Sequence, residues 1–144
     1  MAEGDGALYA IFPQKLMTGE IDLVDHVIKL AILDNYTPDV EAHETWSDVS
    51  GSEASGSGYT AGGATIANGS VSWVSSDTEA VYDADDYTWT SLNVGTNLSH
   101  FVMHDTTPSD DWLIGYWETE TPTNGGNYGV EFNADGIIGL AINQ

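Results

Sequence analysis

The stretch ATIANGSVSWV, residues 64–74, decides how this chain is read. Two apolar runs, residues 64–67 and 71–74, flank Asn68-Gly69, a dipeptide suited to the left-handed backbone of a two-residue hairpin turn. The same alternation of short apolar runs and turn residues continues downstream. Residues 80–82 and 87–92 flank the acidic corner Asp83-Ala84-Asp85-Asp86, and LSHFVMH (98–104) alternates. Its period of two puts Leu98, His100, Val102 and His104 on one side, with Phe101 and Met103 on the other. WLIGYW (112–117) follows, and residues 128–132 and 137–142 flank Asn133-Ala134-Asp135-Gly136, a second hairpin signal. Upstream, HVIKLAIL (26–33) reads as a buried central strand, with Lys29 turned outward or paired to a carboxylate. About eight or nine short strands at regular spacing predict an all-β fold, an antiparallel β-sandwich of jelly-roll-like form.

Before the first strand, Leu8, Ile11, Phe12, Leu16 and Met17 approximate a helical stripe interrupted by Pro13. Residues 1–20 are expected to form an N-terminal arm with a short helical segment near that proline, and residues 21–144 a single β-sandwich domain. The domain's one long connection is YTPDVEAHETWSDVSGSEASGSGYTAGG, residues 36–63. Residues 39–48 within it are expected to form a short helix with Thr37 or Asp39 near its cap. Tyr36, Pro38, Trp46 and Tyr59 are the expected anchors of the loop, and Gly62 and Gly63 supply backbone freedom for its tight return.

The chain has 144 residues, 41% of them hydrophobic, which suits one globular domain with a real core. No apolar run reaches membrane-spanning length, and the start lacks the basic lead and apolar core of a secretory signal. There is no cysteine, so disulfides and thiolate metal sites are excluded. Asp and Glu number 23 against two basic residues, Lys15 and Lys29, for a net charge of −21. Contact with a nucleic-acid backbone needs clustered Lys and Arg, so nucleic acid is excluded as a partner and anionic membranes are disfavoured. A charge this large repels itself in dilute buffer, whereas at about 1 M salt the Debye length shrinks to about 3 Å. The composition therefore points to a hypersaline environment.

Candidate chemistry is sparse. Of His26, His43, His100 and His104, the last two share a predicted strand face but stand about 13 Å apart, too far for one metal. Strand or surface histidines are the plainer reading. Carboxylate pairs suited to glycoside hydrolysis arise by chance among 23 acids and carry no information. Asp83, Asp85 and Asp86, like Asp105, Asp110 and Asp111, make oxygen-rich loops able to hold Mg²⁺ or Ca²⁺ weakly, but neither fits an EF-hand loop and solvated corners explain them. No cofactor is expected. The glycine-rich segment 51–63 lacks the GK[ST] of a phosphate loop. Trp73, Trp89, Trp112 and Trp117 offer a sugar-stacking platform, which makes a carbohydrate-binding module one alternative. Asn35, Asn68 and Asn97 begin glycosylation sequons near predicted turns.

The run of residues 36–73, followed by DADDYTW, SHFVMHDTT, WLIGYW and FNADGII, resembles small β-rich head decoration, or cement, proteins of tailed viruses. The likeness covers about residues 21–142 and is sharpest over 36–63 and at Trp89. Relatives often carry Lys or Arg in their central strands, where this chain has neutral residues such as Ser99 and His100, a departure that implies a halophilic host. The resemblance implies a non-enzymatic structural protein of the virion, bound as a dimer or trimer to the major capsid protein on the outer capsid surface. Its expected contacts are the N-terminal arm and the loop bearing Tyr36, Pro38, Trp46, Tyr59, Gly62 and Gly63. A tail, baseplate or fibre protein is the nearest alternative.

Overall fold

The computed structural model describes residues 5–142. Ten strands and two short helices follow in the order β1 (Gly6–Leu8), α1 (Ile11–Met17), β2 (Ile28–Asp34), α2 (Trp46–Val49), β3 (Ala64–Thr65), β4 (Ser70–Val74), β5 (Glu79–Asp83), β6 (Tyr87–Trp89), β7 (Leu98–Asp105), β8 (Trp112–Glu118), β9 (Tyr128–Val130) and β10 (Ile138–Ala141). The fold is mainly β, and every strand pairing is antiparallel. One sheet has five strands in the order β1-β8-β7-β2-β3; the others are β10-β5-β4 and β6-β9.

The large sheet is covered on both faces, which is why β2 and β7 read as nearly continuous apolar runs. On one face Ile28, Leu30, Ile32, Phe101 and Met103 pack with Tyr82 and Ile138 of the three-stranded sheet and Trp89 of the two-stranded one. Trp89 stacks parallel to Phe101, 6.2 Å between ring centres, and joins the layers. On the other face Leu33, Val102, Leu113 and Tyr116 pack with Tyr9, Tyr36 and Val49. These last two come from the long loop, so the loop forms a layer of the fold.

Two bulges set which side chains reach which face. Leu33 lies opposite His100 and Asp34 opposite Leu98, leaving Ser99 as the extra residue. Leu98 is thereby turned to the Phe101–Met103 side, away from the His100 side that strict alternation predicts. A second bulge at Ile114, between the Met103–Gly115 and His104–Leu113 pairs, turns that side chain into the same core.

Both predicted hairpins prove to be corners between sheets. Asn68 has the positive φ of 58° that its turn requires, yet β3 pairs with β2 while β4 pairs with β5. The chain before the turn stays tied to the large sheet, with the Ile66 amide donating to the Ile28 carbonyl. Likewise the turn at 133–136 separates β9, paired with β6, from β10, paired with β5. The consecutive strands that do pair as hairpins are β4 with β5 and β7 with β8.

The N-terminal segment also differs from its expected form. Gly6–Leu8 is the edge strand of the large sheet, with Gly6 opposite Trp117, and α1 starts two residues before Pro13. Proline is tolerated there because first-turn amides have no partner within the helix. Residues 6–17 therefore belong to the scaffold; residues 1–4 of the expected arm lie outside the described residues.

Candidate functional site

The loop 36–63 holds two assignments in the fold. Its first half caps the outer face of the large sheet. Asp39 fixes a turn by accepting from the Glu41 and Ala42 amides, so the helix expected over 39–48 is replaced by a turn and the later α2. Thr45 caps α2 in a capping box with Asp48, whose carboxylate accepts from the Glu44 and Thr45 amides; those bonds hold it below the usual carboxylate range. Trp46 stacks on His104 with ring centres 4.3 Å apart. His104 Nε2 lies 2.8 Å from the Gly62 carbonyl and Nδ1 2.5 Å from Asp111 Oδ1. His104 thus ties Trp46 and the end of the loop at Gly62 to strand β7.

The second half seals the open edge of β2. Glu53 bridges to Leu33, and the Ala54 amide donates to the Ile32 carbonyl. The chain then departs, and the Tyr59 hydroxyl takes the place of a neighbouring strand: it accepts from the Ile32 amide at 3.1 Å and donates to Glu53 Oε1 at 2.8 Å. Burial pushes the Tyr59 phenol well above its ordinary range. The Gly62 amide donates to the same Glu53 oxygen, which returns the chain to β3 beside Leu30. An exposed strand edge invites foreign pairing, and the loop closes this one.

Tyr36 is buried, its hydroxyl shared between Tyr9 (2.9 Å) and His43 (2.8 Å), and Gly63 is buried against the Leu30 carbonyl. Pro38, Trp46, Tyr59 and Gly62 are half-buried. The exposed part of this loop includes Glu41, Ala42, Ser47 and residues 55–58.

The other sequence-derived candidates are dispersed among structural bonds. Asp83 Oδ1 accepts from the Ala84 amide, Asp85 Oδ2 from the Asn68 side chain and Asp86 Oδ1 from the Phe132 amide. Among the described residues, no three His, Asp or Glu side chains converge in a way that would hold a metal ion. His26 Nδ1 lies 2.7 Å from Asp105, and His100 is buried between the rings of Tyr36 and Tyr116, with Glu118 3.7 Å from its Nε2. Burial holds the His100 imidazole below its ordinary value. Asn35, Asn68 and Asn97 are exposed, although the Asn68 side-chain nitrogen is bonded to Asp85. Trp89 is buried, and Trp112 is half-buried beneath Lys15, whose ammonium stands 4.1 Å from the ring centre.

Two surfaces remain that sequence reading did not single out. The first is the overhang of the three-stranded sheet. Val71, Tyr82 and Ile138 form one cross-strand row, and Trp73, Ala80 and Leu140 the next row on the same face. Tyr82 and Ile138 enter the core, whereas Trp73 is 55% exposed, Val71 53% and Leu140 40%. The outer edge of β4 is open, and its residues SVSWV contain no charge, proline or bulge, the usual protections of an edge. Alternation without a buried partner for Val71 and Trp73 was the available signal.

The second surface is a cleft of about 690 Å³ where the sandwich gapes beside β8. Phe101 and Trp117 of the large sheet line one side, and Tyr128, Val130 and Phe132 line the other. Glu118, Asn127, Glu131 and Asn133 add polar groups. The Tyr128 hydroxyl is fixed by Thr119 (3.1 Å) and the Thr121 carbonyl (2.9 Å). No signal in the sequence joins 117–121 to 127–137, because only the sheet packing does so.

No protein-family model, curated protein or solved structure matches the chain.

Proposed function

We propose that the protein is a structural virion component that binds the outer surface of a major capsid protein lattice and reinforces the head. The observation that supports this reading most is the bare β4 edge. In a chain with a net charge of −21, the outer edge of β4 carries no charge, is unpaired among the described residues and is flanked by Trp73 and Val71, each more than half exposed. Such an edge suits pairing with a strand or loop of a shell subunit, with backbone bonds supplying affinity and the two apolar side chains supplying fit. In molar salt the repulsion between acidic partners is screened, while apolar contact persists. Each contact is small, and many copies on one lattice share the load.

The test is reconstitution in molar KCl on particles stripped of the protein. The native chain should return in hundreds of copies and raise the temperature at which heads rupture. Val71→Lys and Trp73→Lys should fold normally yet fail to bind. A stoichiometry of only a handful of copies, confined to the tail, would sink the proposal.

A further inference from the structure

We propose that the free protein pairs with a second copy of itself through β4, strand against strand about a twofold axis at Ser72. Ser72 is the midpoint of β4, so only an antiparallel register centred there pairs the whole of Ser70–Val74 with its own copy. In that register Val71 lies opposite Trp73 of the second copy, and Trp73 opposite its Val71. Side chains now more than half exposed thereby meet as two β-branched–aromatic pairs. The rows already present in each copy join as well. Ile138, Tyr82 and Val71 run on into Trp73, Ala80 and Leu140 of the second copy, an apolar row across six strands. On the opposite face Ser72 meets Ser72, two small side chains at the axis. A register centred on Val71 would instead set Trp73 against Gly69 and lose both apolar pairs.

Charge explains why two copies meet here. Chains that each carry −21 repel wherever carboxylates face each other, so they associate only through a bare surface. No charged residue stands between Glu53 and Asp77, and β4 is the longest strand in that run. The carboxylates of the sheet, Glu79 and Asp83, sit one strand back, at the two ends of β5. Across the seam, Asp83 of one copy and Glu79 of the other are three strand spacings apart, about 14 Å. That exceeds the Debye length of about 3 Å in molar salt several times over. The pairing therefore strengthens with salt, the opposite of an association held by ion pairs.

The symmetry also protects the edge. An open, uncharged strand edge is a template on which other chains add. A twofold contact is closed, because each β4 edge meets the other and neither is left to propagate. Among the described residues β4 pairs only with β5, so no strand has to be displaced before a second copy docks. Two five-residue strands make a small interface, of the class that exchanges readily. The inference does not rest on a capsid. It shares the β4 edge with that reading, and a copy released from its partner presents the edge to a shell.

The experiment is sedimentation equilibrium of the intact protein in molar KCl at micromolar concentrations, joined to thiol cross-linking. The native chain should pass from monomer to dimer and stop there. Trp73→Lys should weaken the pairing by at least about tenfold, with a native circular dichroism spectrum. The chain has no cysteine, so Ser72→Cys adds a unique thiol. Its two copies would face each other at the axis, within disulfide reach, and mild oxidation should give a covalent dimer. Ser70→Cys should not cross-link, because its two copies would lie about 14 Å apart. The proposal is overturned if the native chain stays monomeric, if its pairing tightens as KCl is lowered, if Trp73→Lys dimerises like the native chain, or if Ser70→Cys cross-links as readily as Ser72→Cys. Coating of stripped particles is scored separately. A monomer that still coats them would remove this pairing and leave the capsid reading intact, whereas a dimer that never coats them would do the reverse.

Discussion

Replacing Tyr59 with Phe removes one oxygen atom and tests whether the long loop is part of the scaffold. That oxygen accepts from the Ile32 amide at 3.1 Å and donates to Glu53 at 2.8 Å. Ile32 is fully buried in β2, and its amide faces away from β7, so water cannot easily replace the lost partner. A buried donor left without an acceptor costs about 1–3 kcal/mol, and a hydrogen bond to a charged acceptor contributes about 1.5–3 kcal/mol. The two losses share one atom and are not additive, so the expected destabilisation is about 2–3 kcal/mol. For a domain of this size each kcal/mol lowers the melting temperature by about 2–4 °C, which predicts a fall of about 5–10 °C. Circular dichroism melts in molar KCl measure it, with Tyr87→Phe as a control whose hydroxyl makes no comparable buried bond. Hydrogen exchange adds a local readout: the Ile32 amide should lose protection while that of Met103 keeps it. A melting temperature within a degree of the native value, with Ile32 still protected, would refute the assignment of the loop as the edge cover of β2.

Two further outcomes follow from the same geometry. Gly63→Ala should cost more than about 3 kcal/mol, because its φ is 95° and an added Cβ would lie 2.3 Å from the Leu30 carbonyl; Gly62→Ala, with φ 90° and its nearest contact at 3.8 Å, should cost only about 1 kcal/mol. Equilibrium denaturation of the two variants gives the comparison, and equal costs would contradict the close approach at Gly63. The second outcome concerns pH. Burial lowers the His100 pKa in the folded state, and the facing groups are Tyr36, Tyr116 and Glu118. The unfolded chain therefore binds this proton more readily, so the stability from a neutral His100 is complete above its unfolded value near 6.5 and is lost as pH falls through the depressed folded value. His100→Phe should flatten that limb of the stability–pH profile; an unchanged slope would count against it.

The fold class was legible because strand and turn residues alternate along most of the chain, and because β2 and β7 are apolar on both faces. Pairing was less legible. Asn68-Gly69 does specify a turn, but a turn does not say whether its flanking strands stay in one sheet, and here the tie of Ile66 to Ile28 sends them apart. Leu98 was assigned to the wrong face because a bulge at Ser99 leaves no mark on hydrophobic periodicity. The anchoring role expected of Tyr36 and Tyr59 matches where they lie, since aromatic residues beside glycine turns in a long loop need a surface to pack on. The β4 edge and the β8 cleft were hidden for a common reason. Each depends on which element fails to cover a neighbour, and that is a property of sheet packing, not of any local run.

The proposed seat on a capsid lattice is open to a cryo-EM map of virions. Copies should stand at regular positions over the whole outer shell, with β4 and Trp73 against the major capsid protein. Density for this chain only at the tail, or a shell-bound copy whose β4 edge faces solvent, would contradict it.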